Sequence, residues 1–403
     1  MNDRAAATTV VPFAALSFSY FAFAGLFSTY APLWYQSLGY TTFAIGALTS
    51  MQSATRLFMP YAWGWVADLT GRREALLRIA TAGALLSSLG FFVVRDYVWV
   101  SAVTVALYLC TAGVIPISEA ALAHRVSRGG KLDVARYGRV RLWGSVGFVV
   151  LVTLSGFALQ KVGVGAFPLL ASGLLLLLVL AALRVPASHE PAPATAQAAS
   201  ALTVLREPLV AWFFAGVFLT VLAHTSLYAF YSLYLASLGF DTGTIGLLWA
   251  LGVLVEIAWF FSSGRWMHRS SMHGWLLAVA LVSAVRFAAI AGFGAHLAVL
   301  IVAQLLHALT FAAQHSACIA VVSRHFPGGQ RGRGQALYAV LGYGASGVIG
   351  GVAGGALSEA LGFAAVFWAA ALAALGAAAC CRRAMTLDRE ARRRSTAESE
   401  SAL

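Results

Sequence analysis

Four ionisable residues, Arg56, Glu256, Arg286 and His307, stand inside stretches that are otherwise apolar. A charge at the middle of a bilayer costs about 2.5–3.5 kcal/mol even on the lenient insertion scale, so such groups persist where they pair, carry protons or meet a ligand. Glu256 is the one acidic residue deep in the second half of the chain. A carboxyl in a low-dielectric cavity can carry a proton, and Arg286 or Arg56 brought close can drive that proton off. A permanent interhelical ion pair is the competing reading. Both expect loss of Glu256 to be harmful, but only the first expects coupling to vanish while exchange survives.

Polar and aromatic residues recur around these charges. Gln304, His307, Thr310 and Gln314 fall within roughly a 120° arc at about 100° per residue, a polar stripe on an apolar helix. His224, Tyr228 and Tyr231 follow one another at i, i+4 and i+7, and Tyr20, Phe23, Phe27 and Tyr30 share similar spacing. Aromatic stripes in membrane helices mostly pack against neighbours; as cavity walls they would suit a flat, apolar substrate. Arg56, His224, Tyr228 and Gln304 are therefore candidate substrate-binding residues, and Glu256 and Arg286 candidate proton-coupling residues.

The elements that must position these groups are membrane helices. Only 10% of residues are charged, 60% are hydrophobic and the mean hydropathy is +0.80. Apolar runs of about 20 residues, the length that crosses a hydrocarbon core, recur from end to end. Twelve spans are expected between residues 10 and 381, all α-helical, because lipid offers no partner to a free backbone amide. The first, from Val10, is too long for a signal-peptide core and is expected to remain in the membrane.

Residues 37–48 read SLGYTTFAIGAL and residues 237–248 read SLGFDTGTIGLL, each where one span turns into the next. Arg56 and Glu256 keep that same offset. The repeat predicts a fold contained twice, the signature of a secondary transporter: a six-helix half at 1–184, a linker at 185–207, a second six-helix half at 208–382 and a cytoplasmic tail at 383–403. The Pro/Ala-rich linker PASHEPAPATAQAAS and the charged segment from Thr386 are expected to lack structure.

All but four of the 27 Lys and Arg fall on one face of this layout; Arg95 and Lys161 lie opposite, and Arg56 and Arg286 lie within the membrane. That bias predicts cytoplasmic termini and a bacterial inner-membrane location. It also accounts for the net charge of +12 without nucleic acid, the basic cluster from Arg125 to Arg139 and the run Arg392 to Arg394 serving topology and contact with anionic lipid. No phosphate-binding loop is present: GGQRGRGQ at 328–335 lacks the lysine-hydroxyl pair. Nor is there a nucleophile elbow or a zinc-protease motif. Cys110, Cys318, Cys380 and Cys381 sit in or beside apolar spans without metal-ligand spacing, so no metal, cofactor or disulfide is expected. An enzyme has nothing to recommend it, which leaves gradient-coupled transport or facilitated diffusion by a monomer.

Between spans 2 and 3 stands GWVADLTGRR, Gly64 to Arg73. It resembles the loop signature of the major facilitator superfamily, GxxxDRxGRR, with Leu69 in place of the first arginine. Gly64, Asp68, Gly71, Arg72 and Arg73 are thus candidate gating residues: Gly64 ends a helix, Asp68 latches neighbouring helix starts and arginines, and Gly71 to Arg73 make a tight basic turn. In the second half Gly264 is kept and His268 replaces the aspartate, which weakens that latch. YGRVRLWGSVGF at 137–148, preceded by Glu119, is similar to the oligosaccharide:proton symporters typified by lactose permease and more so to the bacterial 3-phenylpropionate transporter branch. The resemblance implies substrate binding by Glu119 and Arg141, proton coupling by Arg286 and His307, and Thr310 at the place of a proton-carrying glutamate, the carboxylate having moved to Glu256.

These readings converge on a proton symporter for a small organic solute working by alternating access, with an aromatic carboxylate such as phenylpropionate as its expected substrate because the cavity arginines outnumber the acids. A sugar or nucleoside symporter, a drug or metabolite efflux carrier, and a non-transporting membrane receptor are the alternatives.

Overall fold

A computed structural model describes residues 10–128, 131–187, 204–327 and 330–401. Most of the expected linker, positions 188–203, lies outside the described residues. Twelve long helices are present among the described residues: α1 Val11–Ser37, α2 Thr42–Thr70, α3 Arg73–Leu89, α4 Tyr97–Val126, α5 Val134–Val162, α6 Phe167–Leu183, α7 Pro208–Ser237, α8 Thr242–Ser262, α9 Met272–Phe293, α10 Leu297–His325, α11 Gly332–Leu361 and α12 Phe363–Ser401. All but α2 belong to the eleven helical segments long and apolar enough to cross a membrane. The 29 residues of α2 are diluted by Thr49, Ser50, Gln52, Ser53, Thr55 and Arg56. Large apolar side chains such as Val98, Leu169, Phe261 and Leu372 are exposed, the surface that acyl chains cover.

The sequence repeat corresponds to one turn built twice. Gly39 and Gly239 follow α1 and α7 at φ +85° and +89°, the left-handed region that glycine enters without strain. Tyr40 N–H donates to Tyr35 O and Phe240 N–H to Leu235 O, the wide closing bond of a Schellman end. Thr41 and Asp241 then cap the next helices by accepting from Ala44 N and Thr244 N.

The chain forms two compact units, Met1–Ala194 with Tyr231–Val253, and Thr195–Phe230 with Leu254–Leu403. In the first, α1 and α5 pack at backbone distance: a side chain on Gly147 would meet the Phe18 carbonyl, and one on Gly144 would meet Phe21 and Ser17. Gly147→Val is therefore expected to destabilise the protein by about 1–3 kcal/mol through overpacking, read as a lower melting temperature in detergent. Residues 231–253 belong to this unit because Tyr30 Oη donates to Val152 O at 2.7 Å and reaches Thr242 O at 3.3 Å, while Thr242 Oγ1 donates to Gly156 O. Phe27 stacks among Phe23, Phe91, Tyr108 and Phe167. Most of the aromatic stripe of α1 is thus packing, not cavity wall.

One expectation needs correction. Thr386 onward does not lack structure: α12 continues through it, with Asp388 buried and bonded to Arg324 at 3.1 Å and Arg392 at 3.0 Å, and His273 at 3.6 Å. Replacing Asp388 with Asn is expected to free this end of the helix and speed trypsin cleavage at Arg389 and Arg392, since breaking a buried pair exposes what it held. Arg125 donates to Pro186 O and Ala187 O at 3.0 and 2.8 Å, while Arg78 reaches Leu183 O and Val185 O. The two satisfy carbonyls that the end of α6 leaves open. Close packing also recurs along α11, where a side chain on Gly350 would meet Thr225 and one on Gly354 would meet Phe230 of α7.

Candidate functional site

In the second unit, α8, α9 and α10 bring Glu256, Arg286 and His307 into one buried cluster. Arg286 is 1% exposed. Its fork donates to Thr310 Oγ1 at 2.9 Å and to Gln304 Oε1 at 3.0 Å, and it lies 3.1 Å from His307 Nδ1. His307 Nε2 lies 2.6 Å from Glu256 Oε1. A guanidinium only donates, so His307 Nδ1 must accept from it, and Nε2 then carries the imidazole hydrogen and donates to Glu256. The arrangement is a cation and a carboxylate joined through a neutral imidazole. A second proton on His307 would set an N–H against the guanidinium, which leaves the carboxylate as the member of the cluster able to take one. Phe311 stacks on the imidazole, 5.5 Å between centroids and 8° between planes, and holds the ring.

Residues Ala308–Ala313 form a π-helical turn inside α10. The extra residue it absorbs rotates everything beyond it by about 100° relative to a plain α-helix, so the four-residue polar arc expected from a regular helix ends at Thr310. Gln314, buried with its amide nitrogen unpartnered, turns away from that arc. Thr310, at the place where the resemblance puts a carboxylate, acts as a neutral ligand to the guanidinium.

His224 of α7 is buried. Its Nδ1 bonds Thr220 O at 2.8 Å and its ring stands edge-on to Phe287, leaving Nε2 buried without a partner, as is Gln304 Nε2. Tyr228 packs against Phe311 at 6.4 Å. His224 Nε2 and Gln304 Nε2 are thus buried polar atoms with no hydrogen-bond partner among the described residues.

In the first unit the structure pairs Glu119 with Arg141, Oε1 to Nε 3.0 Å, and lays the guanidinium over the ring of Phe21 at 4.2 Å. The pair faces a small recess lined with Phe13, Ser17, Ser118, Leu122 and Val140. Ser17 Oγ is buried there with no partner. Arg56 is exposed. Ser17, Phe21 and Ser118 escaped the sequence reading because single hydroxyls and phenylalanines on apolar helices carry no periodic signal.

Between α2 and α3, Asp68 pairs with Arg73 at 3.3 Å, and Gly71 takes φ +60° to end α2. Gly64 does not end a helix as its motif position predicts; α2 runs on to Thr70. Asp68 is nearly half exposed, so this ion pair contributes little to stability by itself. His268 bonds the Gly264 carbonyl at 3.3 Å.

Known proteins place these features in a family. The chain is 31% identical over 372 residues to the probable 3-phenylpropionic acid transporter of Escherichia coli K12, covering 89% of this chain and 94% of that protein. It is 29% identical over 278 residues to the maltose permease of Geobacillus stearothermophilus, covering 68% of each. Among solved structures it superposes on the nucleoside transporter NupG with a TM-score of 0.79 at 17% identity, covering 94% of this chain and 99% of that one. A POT family transporter superposes with a TM-score of 0.72 at 12% identity, covering 96% of each chain. At such identities these structures speak to fold alone. The model of the MFS_1 like family matches residues 11–369, and the chain therefore belongs to that family of major facilitator membrane transporters.

Proposed function

We propose that this transporter is a proton symporter importing a small aromatic carboxylate such as 3-phenylpropionate by alternating access, with both termini cytoplasmic in a bacterial inner membrane and a monomer as the working unit. Its two functional halves are residues 1–184 and 208–382. The observation that carries the coupling is the Glu256–His307–Arg286 cluster: a carboxylate is the one site there that can gain a proton, and a buried cation stands behind it to favour release. In this reading Glu119, Arg141 and Arg56 of the first unit receive the substrate carboxylate, Arg141 being already stacked on Phe21, and His224, Tyr228 and Gln304 are the substrate-binding candidates of the second unit. Asp68, Arg72 and Arg73, between Gly64 and Gly71, act in gating. The similarity to the E. coli protein supports the choice of substrate.

A sugar substrate is the second reading, favoured by the hydroxyls of Ser17 and Ser118 beside Glu119 and by the similarity to a maltose permease. Proteoliposomes with an imposed pH gradient, inside alkaline, decide between them. Accumulation of labelled 3-phenylpropionate that collapses with the gradient supports the first. Uptake indifferent to the gradient refutes the coupling, and saturable maltose uptake transfers the assignment to the second.

A further inference from the structure

His315 lies eight residues beyond His307 on α10, on the far side of the π-helical turn. Eight residues of regular α-helix would leave it about 80° round from His307. The extra residue in the Ala308–Ala313 turn removes about 100° of that rotation and returns His315 to within roughly 20° of the His307 face. A second π-segment, Tyr338–Ala345 in α11, does the same for two tyrosines: an i→i+5 repeat stacks Tyr338 and Tyr343 on one side, with their hydroxyls 3.2 Å apart. Tyr338 Oη lies 3.3 Å from His315 Nδ1. The bulges thus assemble an imidazole and two phenols from helices whose plain periodicity would have scattered them.

Glu256 of α8 lies within electrostatic range of His315. The other titratable groups around it are Tyr338 and Tyr343 from α11, and Cys318 on its own helix lies beside Tyr338. His307 is unable to relay the proton onward, because its Nδ1 lone pair is held by Arg286. His315 has no such cation bonded to it among the described residues, and it is only partly buried.

We propose that His315, oriented by the Tyr338–Tyr343 pair, is the group to which Glu256 gives up its proton on the cytoplasmic side. The reading rests on the coupling role of Glu256 proposed above. With Nδ1–H donating to Tyr338 Oη, the Nε2 lone pair is the acceptor. The carboxyl O–H bond breaks and leaves carboxylate, an Nε2–H bond forms to give imidazolium, and water on the cytoplasmic side then takes that same proton. Tyr338 and Tyr343 are positioning residues. They fix the tautomer and take no proton themselves.

The test needs no substrate. Full-length protein in liposomes on a solid-supported membrane gives a transient current after a pH step as protons enter or leave. Glu256→Gln is expected to abolish the transient. His315→Ala is expected to slow its decay at least tenfold, because a positioned acid–base group contributes typically about 10²–10⁴-fold and water stands in for part of that. Imidazole in the bath is expected to restore the fast decay in His315→Ala, an effect no structural role would produce. Tyr338→Phe, which keeps the ring and its packing, is expected to slow the decay less than His315→Ala. Wild-type decay in His315→Ala would overturn this inference while leaving Glu256 as the carrier. A transient that survives Glu256→Gln would overturn the coupling reading itself, and this inference with it.

Discussion

Glu256→Gln is expected to lose gradient-driven accumulation of 3-phenylpropionate while retaining counterflow. The amide keeps an oxygen for the His307 Nε2–H, which reaches the carboxylate at 2.6 Å, so the hydrogen bond survives and the site keeps its shape. What disappears is the change of charge. A glutamine imitates the protonated acid permanently, and a carrier fixed in that form can exchange loaded for loaded but has no deprotonated form in which to return empty. Coupling between two ligands typically amounts to 1–3 kcal/mol, a factor of about 5 to 150, and the ratio of accumulation to counterflow is expected to fall by that range. The pH dependence of counterflow should flatten in the same variant. Unchanged accumulation would remove Glu256 from the coupling scheme and return the cluster to a permanent ion pair.

How much of this was legible beforehand depended on whether a feature lived in composition or in phase. The helices, their number and the duplicated turn after Leu38 and Leu238 were readable because apolar length and a glycine with positive φ are local properties. Arg286, His307 and Glu256 were readable as a group because charge in an apolar span is conspicuous anywhere. Their order was not: nothing in the sequence says that the imidazole stands between cation and acid. The π-turns were invisible as well, since ALTFAA and YAVLGYGA are ordinary helix-forming strings. One inserted residue removed Gln314 from the expected arc and brought His315 toward it. Arg56 shows a different limit. Its place in the repeat is symmetric with Glu256, but a repeat of sequence position does not oblige side chains to be buried alike, and Arg56 is exposed. The helical end of α12 was missed because its charge-rich composition reads as solvated, whereas a single carboxylate, Asp388, gathers two arginines and is buried.

The largest effect on stability is expected at Arg286. Its guanidinium donates to Thr310 and Gln304 and lies against His307, and behind His307 stands Glu256. Arg286→Gln removes the charge and most of the fork, leaving a partly enclosed carboxylate with an imidazole whose Nδ1 has lost its donor. Removing one partner of a buried pair generally costs about 3–5 kcal/mol, because the remaining charge is uncompensated. Arg286→Lys keeps the charge but offers a compact ammonium in place of a planar fork, so it should fall between wild type and Arg286→Gln. The double variant Glu256→Gln/Arg286→Gln removes both charges at once and should be more stable than the sum of the single losses predicts, by about 0.5–3 kcal/mol of interaction energy. Thermal unfolding of the four proteins in one detergent, followed by tryptophan fluorescence, measures the cycle. Additive losses would mean that cation and carboxylate do not sense each other through His307, and the proton given up by Glu256 would then have no reason to answer to Arg286.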